Sequence, residues 1–332
     1  MANAGMPLAR IVGTGSYVPE KILTNADLER LVDTSDEWIT ARTGIRERHV
    51  AAAEEATSDL AVEASRRALD AAGVKPAEVD LVVCATVTPD TLFPSTACII
   101  QDRLGLRAAA AMDLSAACSG FIYGIHLLRG LIATGAARRV LLIGAECLSK
   151  ITNYEDRSTC VLFGDGAGAA VLVPENGGRR GVLASRIGSD GSAGEMLCQP
   201  AGGSRIPATV DSVQRKLHTI HMKGNEVFKM AVRGMEDVTR GVMQDAAIAA
   251  SDIDLVIPHQ ANLRMIQALG DRLEVPPERV YVNIDRYGNT SAASVPIALD
   301  EVVRAGRLRP DQLLVMVAFG GGLTWGALAV RW

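Results

Sequence analysis

Residues 108–134 read AAAAMDLSAACSGFIYGIHLLRGLIAT, and this stretch decides the fold class. The apolar run 108–114 is strand-like, and the apolar stretch 119–134 is typical of a helix. Cys118 therefore lies at a predicted strand-to-helix turn, where the helix dipole and free N–H groups favour the nucleophilic thiolate. The alternative is that Cys118 is simply a small residue suited to tight packing among alanines and glycines.

Short apolar runs alternate with helical patterns along the rest of the chain. Near-continuous apolar runs, typical of strands buried on both faces, occupy 80–87, 139–145, 254–258 and 312–318. Residues 58–73 have apolar side chains at helical spacing, with Ser58 as the expected N-cap and Gly73 as the expected stop. This alternation predicts an α/β fold. The segment 185–222 has no clear periodicity and is predicted to form loops near a site or interface.

The chain also resembles itself at nearly constant offsets. The matching pairs are 80–83 with 254–257, 141–144 with 314–317 and 115–119 (SAACS) with 291–294 (SAAS), and a fourth pair, 166–173 with 324–331, has a shorter offset. The first two pairs are offset by 174 and 173 residues and the third by 176, in the same order along the chain. We therefore predict two fused copies of one α/β unit, an N-terminal half (1–175) and a C-terminal half (176–332), in one compact body.

The composition excludes several classes of protein. Apolar residues make up 48% of the 332 residues and charged residues 22%, which is typical of a folded globular chain. With 34 basic and 38 acidic side chains and only 4% aromatics, the chain lacks the basic and stacking groups of a nucleic-acid binder. Gly13-Thr14-Gly15 lacks the third glycine of a dinucleotide fingerprint, which argues against a nucleotide-dependent oxidoreductase.

The chain is expected to work in the cytosol without membrane insertion. Its first residues, MANAGMPLAR, lack the apolar core of a signal peptide, and no run reaches the 18 uninterrupted apolar residues of a membrane span. The six cysteines show no metal-ligand spacing, so we expect reduced thiols and no metal site. Cys84, Cys147 and Cys160 lie in or beside strand-like runs and are predicted to be buried packing residues.

Three further candidates lie at predicted strand ends or turns. His259 follows the apolar run 254–257, at a position where functional groups collect in α/β sheets. Asn289 could donate to a developing oxyanion, although an Asn between Gly and Thr is most often a turn residue. The run 320–322 (GGG) provides N–H groups for an oxyanion hole, or else a simple turn between strands.

Seven stretches, taken together, resemble one family. They are 34–46 (TSDEWITARTGIR), 113–120 (DLSAACSG), 156–168 (DRSTCVLFGDGAG), 224–229 (GNEVFK), 258–264 (PHQANLR), 287–296 (YGNTSAASVP) and 319–326 (FGGGLTWG). In this order and spacing they resemble the β-ketoacyl-acyl-carrier-protein synthase III family of the thiolase superfamily, along essentially the whole chain. The resemblance implies a duplicated thiolase-like fold with five αβαβα layers.

The resemblance also implies roles for particular residues. It implies a Cys118–His259–Asn289 triad, with the N–H groups of Cys118 and Gly321 as the oxyanion hole. The implied CoA and pantetheine contacts are Trp38, Arg42, Arg157, Asn262 and Arg264, and the implied acyl-pocket residues are Phe93, reaching into a dimer partner, and Leu162. The implied docking residues for an acidic carrier protein are Lys229, Gln260, Ala261, Asn262, Leu263 and Arg264.

The implied reaction is a decarboxylative condensation that starts fatty acid synthesis. A short acyl-CoA, expected to be acetyl-CoA, would acylate Cys118 and then condense with malonyl-acyl-carrier protein, with no cofactor. His259 would act as a neutral donor, so its pKa should not lie far above 7. The alternatives are a quinolone- or polyketide-type Cys-His-Asn condensing enzyme and a non-catalytic acyl- or carrier-binding homologue.

Overall fold

A computed structural model describes residues 5–332. The strands are β1 Leu8–Tyr17, β2 Ile22–Thr24, β3 Glu47–His49, β4 Leu81–Ala85, β5 Ala110–Leu114, β6 Val140–Glu146, β7 Gly166–Glu175, β8 Gly181–Ser189, β9 Leu197–Cys198, β10 His221–Met222, β11 Leu255–Pro258, β12 Leu313–Gly320 and β13 Thr324–Arg331. The α-helices are α1 Asn25–Leu28, α2 Asp36–Thr43, α3 Thr57–Ala72, α4 Thr96–Arg103, α5 Gly120–Ala133, α6 Arg157–Cys160, α7 Val210–Gln214, α8 Gly224–Ala246, α9 Leu263–Leu273, α10 Ile284–Tyr287 and α11 Ser294–Arg304.

Two large sheets share one plan. The N-terminal sheet has the order β1-β7-β6-β4-β5, in which β4 is parallel to β5 and β6 while β7 is antiparallel to β6 and β1. The C-terminal sheet has the order β8-β13-β12-β11, in which β11 is parallel to β12 while β13 is antiparallel to β12 and β8. Val280 pairs in parallel with Val256 of β11, in the position that corresponds to β5 beside β4 in the first sheet. Strand order and direction therefore repeat, as the sequence offsets predict.

The repeat also corrects one predicted alignment. Ala117 and Ser291 both have positive φ, 45° and 48°, and each begins a short 3₁₀ turn that leads into a central helix, α5 or α11. The structural offset here is thus 174 residues, not the 176 obtained by matching SAACS to SAAS. Composition misled the alignment because the shared feature is a backbone conformation and not a string of small residues.

Three apolar cores join the elements into five layers. Helices α3 and α4 cover the outer face of the N-terminal sheet, α5 and α11 lie between the two sheets, and α8 and α9 cover the outer face of the C-terminal sheet. Side chains of one strand alternate between cores: in β12, Met316 faces the central helices while Val315 and Val317 face α8 and α9. Both large sheets are thus buried on both faces, which explains their near-continuous apolar sequences.

Most predicted elements are confirmed, with small shifts at their ends. The predicted strands correspond to β4, β6, β11 and β12, and Gly73 ends α3 in the left-handed region. Ser58 is not the N-cap of α3, because the helix begins at Thr57 and the Asp59 carboxylate accepts the Ala56 N–H at 2.7 Å. The prediction of loops over 185–222 is wrong at its start, since β8 extends to Ser189, and the short elements β9, α7 and β10 interrupt the rest. Among residues 5–332, no helix is both long and apolar enough to cross a membrane.

Candidate active site

A cavity of about 1150 Å³ gathers residues from both halves of the chain. Its wall includes all three residues of the predicted triad, Cys118, His259 and Asn289, together with Gly321. Leu162, Trp38 and Arg42 also line it, as do residues of the segment that was predicted to form loops, namely Leu197, Cys198, Gln199 and Ile220. Residues that are far apart in the chain therefore share one surface.

Cys118 lies in the 3₁₀ turn Ala117–Ser119, directly before the apolar central helix α5. The turn is predicted correctly, but the expected resting thiolate is wrong. Cys118 is only 8% exposed, and burial raises the pKa of its thiol to about 12. The loss of hydration outweighs the field of the α5 N-terminus, so the resting group is a thiol and must lose its proton during reaction.

His259 follows β11, and its N–H donates to the Val317 carbonyl of β12 at 2.8 Å. Its Nδ1 lies 2.7 Å from Ser294 Oγ, which also accepts the Gln260 N–H at 3.1 Å. Among residues 5–332, Nδ1 of His259 is the only acceptor within reach of the Ser294 hydroxyl proton, so we assign that proton to Nδ1, which places the imidazole proton on Nε2. Burial lowers the pKa of His259 to about 3, so the ring is neutral, as its predicted role requires.

Asn289 is held by backbone on both sides. Its N–H donates to the Leu162 carbonyl at 2.8 Å, and its own carbonyl accepts the Gly164 N–H at 3.1 Å. Its side-chain Oδ1 accepts the Ser291 N–H at 2.9 Å, which leaves Nδ2 as the free donor. Gly288 has φ 62°, and a Cβ there would lie 2.7 Å from the Leu162 carbonyl oxygen, so glycine is required beside Asn289.

The glycine run meets Cys118 backbone to backbone. A Cβ on Gly320, the last residue of β12, would lie 2.6 Å from the Cys118 nitrogen. Gly320 must therefore be glycine for the strand end to approach the cysteine. Gly321, the predicted oxyanion-hole residue, comes next and lines the cavity.

Trp38, Arg42 and Arg157 cluster at the cavity wall. The guanidinium carbons of Arg42 and Arg157 lie 4.6 Å and 4.9 Å from the Trp38 ring centroid. Two stacking contacts around an inserted base need about 7 Å, twice the optimal carbon–carbon separation. Insertion of the CoA base between Arg157 and Trp38, which the predicted CoA contact would involve, would require outward movement of the Arg157 side chain, which donates to the Asp33 carbonyl at 2.7 Å.

The predicted docking residues do not all face outward. Lys229 and Arg264 are exposed, and Ala261 and Leu263 are partly buried. Gln260 is 1% exposed, and both ends of its amide are used by the Asn283 N–H and by the Pro258 and Tyr281 carbonyls. Its side chain therefore supports the loop. The prediction that this side chain docks the carrier protein is wrong, and Gln260 is a structural residue.

The Asn262 amide is also engaged within the protein. Its Oδ1 caps α9 by accepting the Arg264 N–H at 2.9 Å, and its Nδ2 donates to the Arg42 carbonyl at 3.0 Å. A pantetheine contact by Asn262 would have to share or displace these bonds. Phe93 is 86% exposed and is not part of the cavity wall within one chain, because its loop projects outward.

The sequence interpretation missed three residues behind the triad: Ser291, Ser294 and Glu146. Ser294 contacts His259, and Ser291 contacts Asn289 and Glu146. Both serines lie in the quoted stretch 287–296. Glu146 is a carboxylate at the end of an otherwise apolar strand, a pattern that marks it as unusual.

Comparisons with known proteins agree with this fold. Residues 112–191 match the family model for 3-oxoacyl-[acyl-carrier-protein (ACP)] synthase III, and residues 243–332 match the model for its C-terminal part. A β-ketoacyl-[acyl-carrier-protein] synthase III from Caldanaerobacter subterraneus subsp. tengcongensis is 56% identical over 324 residues, covering 98% of each chain.

Solved structures extend the comparison. A 3-oxoacyl-[acyl-carrier-protein] synthase III from Aquifex aeolicus VF5 superposes with a TM-score of 0.90 at 49% identity, covering 98% of this chain and 100% of the other. The priming β-ketosynthase of the R1128 polyketide pathway also gives a TM-score of 0.90, at 36% identity, covering 98% and 97%.

The repeated sheets around a shared cavity are those of a condensing enzyme with the duplicated five-layer thiolase fold. The chain belongs to the β-ketoacyl-acyl-carrier-protein synthase III family of the thiolase superfamily.

Proposed function

We propose that the chain condenses a short acyl-CoA, acetyl-CoA in the first instance, with malonyl-acyl-carrier protein and so initiates fatty acid synthesis. The observation that carries this proposal is the convergence of a buried thiol, a neutral imidazole and an amide donor in one cavity. Identity of 56% to a synthase III, against 36% to the polyketide priming enzyme, favours fatty acid synthesis over a secondary-metabolite pathway.

In the first half-reaction Cys118 becomes the acyl carrier. Its thiolate attacks the carbonyl carbon of the primer thioester, and the N–H groups of Cys118 and Gly321 stabilise the tetrahedral oxyanion. The close approach of Gly320 to Cys118 supports this arrangement, because it brings the glycine run against the nucleophile. CoA then leaves with the electrons of its C–S bond.

In the second half-reaction His259 and Asn289 act as donors. Nε2–H of His259 and Nδ2–H of Asn289 bind the thioester oxygen of the malonyl group and stabilise the enolate as CO₂ departs. The enolate carbon attacks the acyl-cysteine to form the β-ketoacyl product. Loss of CO₂ drives condensation, so the proposed reaction needs no cofactor beyond its two thioester substrates.

Exposed cations at the cavity rim support the proposed partners. The proposed role of Arg42 and Arg157 is to bind the phosphates or the base of CoA, and that of Lys229 and Arg264 is to attract an acidic carrier protein; all four are exposed and line the cavity. A local basic rim is needed, because the formal net charge of the chain is −4. Six unpaired cysteines agree with the cytosolic location that is part of the proposal.

The proposal is tested with a panel of acyl-CoA primers, each incubated with the protein and malonyl-acyl-carrier protein. We expect intact-mass spectrometry to show acyl-enzyme with acetyl-CoA, followed by a β-ketoacyl-carrier product. Fatty acid synthesis predicts acetyl-CoA or another short acyl-CoA as the preferred primer. Preference for an aromatic or otherwise specialised primer would instead support the secondary-metabolite alternative, and no acylation by any primer would support a non-catalytic homologue.

A homodimer is also proposed, formed through what we call the β5 edge surface: Leu92, Phe93 and Met112. Strand β5 is the free edge of the N-terminal sheet, and Met112 on it is 49% exposed. Leu92 and Phe93, in the loop that leads into α4, are 82% and 86% exposed, and the Thr96 N–H at the start of α4 donates to Asp113 of β5. An unpaired edge strand with exposed apolar side chains is a ready surface for a second copy, which would let Phe93 reach the partner's acyl pocket.

The double substitution Leu92→Ser/Phe93→Ser is expected to weaken self-association by about tenfold or more, because it removes two large apolar anchors. Sedimentation over a concentration series measures this. Leu31→Ser is the matched control, since Leu31 is 56% exposed and lies outside the β5 edge surface. An unchanged dimer in the double variant would show that the interface lies elsewhere.

A further inference from the structure

Thr324 connects the two turns that carry the proposed oxyanion-hole N–H groups. It begins β13, directly opposite Gly320 at the end of β12, and it lines the cavity. Its hydroxyl lies 3.0 Å from the Ala116 carbonyl oxygen and 3.1 Å from the Gly321 carbonyl oxygen. A hydroxyl has one proton, so the two carbonyls share it. One side chain thus binds both the turn that contains Cys118 and the glycine run.

The Ala116 carbonyl is the group that closes the cysteine turn. It also accepts the Ser119 N–H at 3.1 Å, which forms the 3₁₀ turn Ala117–Ser119. Ala117 has φ 45° in that turn, a left-handed conformation that an alanine keeps only when its surroundings fix it. A second bond joins the same turn to β13, since Ser119 Oγ donates to the Thr324 carbonyl at 3.1 Å. Two hydrogen bonds therefore connect the Cys118 turn to the first residue of β13.

Gly321 lies against the same turn and is confined by its neighbours. A Cβ on Gly321 would lie 3.0 Å from the Leu197 carbonyl oxygen and 3.7 Å from the Ala117 Cβ. A run of three glycines has little stiffness of its own, so the direction of the Gly321 N–H depends on such contacts. The bond from Thr324 to the Gly321 carbonyl fixes the peptide group that follows this N–H.

The N-terminal half makes the equivalent contact with different residues. Glu146 ends β6 as Gly320 ends β12, and Ser291 begins one 3₁₀ turn as Ala117 begins the other, with both pairs 174 residues apart. In the N-terminal sheet a side chain connects strand end and turn, because Glu146 accepts the Ser291 hydroxyl at 3.0 Å. Gly320 has no side chain, so backbone meets backbone and the hydroxyl comes from Thr324 on the neighbouring strand. The repeat thus keeps the contact, and in the C-terminal sheet it brings the glycine run against the cysteine.

We propose that Thr324 is a positioning residue that holds the N–H groups of Cys118 and Gly321 in the relative position that one oxyanion hole requires. This role rests on the proposed function, which supplies the oxyanion. The hydroxyl proton is bound to two carbonyls, so Thr324 acts through the backbone and not on the substrate. The turn between β12 and β13 needs only the local bond to Gly321. The bond to Ala116 spans 208 residues of chain and has no part in forming that turn.

The test compares two reagents that modify Cys118 by different routes. p-Nitrophenyl acetate transfers its acetyl group to sulfur through a tetrahedral oxyanion, whereas iodoacetamide alkylates sulfur by direct displacement of iodide and forms no oxyanion. In Thr324→Val the acetylation rate should fall about 10- to 100-fold, because both donors remain but no longer point at one place. The iodoacetamide rate should not change. Mass spectrometry of the Cys118 peptide measures both rates.

Two further variants separate positioning from general damage. Thr324→Ser keeps the hydroxyl and should restore acetylation to near the native rate. Thr134→Val is the matched control, because the Thr134 hydroxyl is likewise shared by two carbonyls, those of Gly130 at 2.9 Å and Leu131 at 3.2 Å. Thr134 lies at the other end of α5 and outside the cavity wall, so this variant should leave both rates unchanged.

Acetyl-CoA as the acetyl donor separates this role from the proposed function. If native Cys118 accepts acetyl from p-nitrophenyl acetate but not from acetyl-CoA, the proposed function fails, while the Thr324 variants still decide the positioning role. With acetyl-CoA as a substrate, the loss in Thr324→Val should appear in the acylation rate at saturation and not in KM, because Thr324 does not bind the CoA portion.

Several results would overturn the positioning role. They are an unchanged acetylation rate in Thr324→Val, an equal loss of acetylation and alkylation, no rescue by Thr324→Ser, and a native protein in which p-nitrophenyl acetate leaves Cys118 unmodified. Thermal unfolding identifies a variant that fails to fold, and Thr324→Ala then replaces Thr324→Val. If neither folds, the hydroxyl supports the fold and not the two N–H groups, which also overturns the proposal.

Discussion

Cys118→Ala is expected to abolish formation of the acyl-enzyme. Cys118 lies in the cavity wall at the start of α5 and against the glycine run, and alanine keeps its volume roughly constant while removing the sulfur. Intact-mass spectrometry after incubation with acetyl-CoA measures the effect. Decarboxylation of malonyl-carrier protein should persist in this variant, because His259 and Asn289 still stabilise the enolate.

Cys198→Ala is the matched control for this experiment. Cys198 also lines the cavity, but it lies on the short strand β9 and not in the turn that leads into α5. It should acylate as the native protein does. Stable acyl label on Cys118→Ala would contradict the assignment, and loss of label only in Cys198→Ala would transfer the role to that residue.

Asn289→Ala is expected to slow decarboxylation and condensation by about 10²–10³-fold, the usual cost of losing one oxyanion donor. Acylation of Cys118 should continue, because Asn289 is assigned to the enolate and not to the first tetrahedral intermediate. The substitution also leaves the buried Ser291 N–H without its partner, which should cost about 1–3 kcal/mol of stability. Separate assays of acylation, CO₂ release and thermal unfolding distinguish these effects.

Asn225→Ala provides the control for Asn289→Ala. Asn225 is exposed at the mouth of the same cavity, so the same truncation there should leave CO₂ release nearly unchanged. Equal loss of acylation and decarboxylation in Asn289→Ala would contradict the division of roles, because it would mean that the residue supports the whole site.

The sequence alone determined the elements and their order. The strands β4, β6, β11 and β12 are recognisable because burial on both faces leaves an uninterrupted apolar run, and this signal is local. The repeat along the chain predicts that both sheets follow one plan. The candidate nucleophile is also visible, because a cysteine between a strand and an apolar helix is a local pattern.

Only the tertiary structure decided how the candidate residues are ionised and held. Burial in the cavity keeps Cys118 a thiol and His259 neutral, and solvation in the fold is not encoded in the neighbouring sequence. The contact between Ser291 and Glu146 spans 145 residues of chain, and that between Ser294 and His259 spans 35 residues. The roles of these residues therefore depend on folding. Gln260 was misassigned for the same reason, because a loop sequence reveals a polar side chain but not the direction in which the fold turns it.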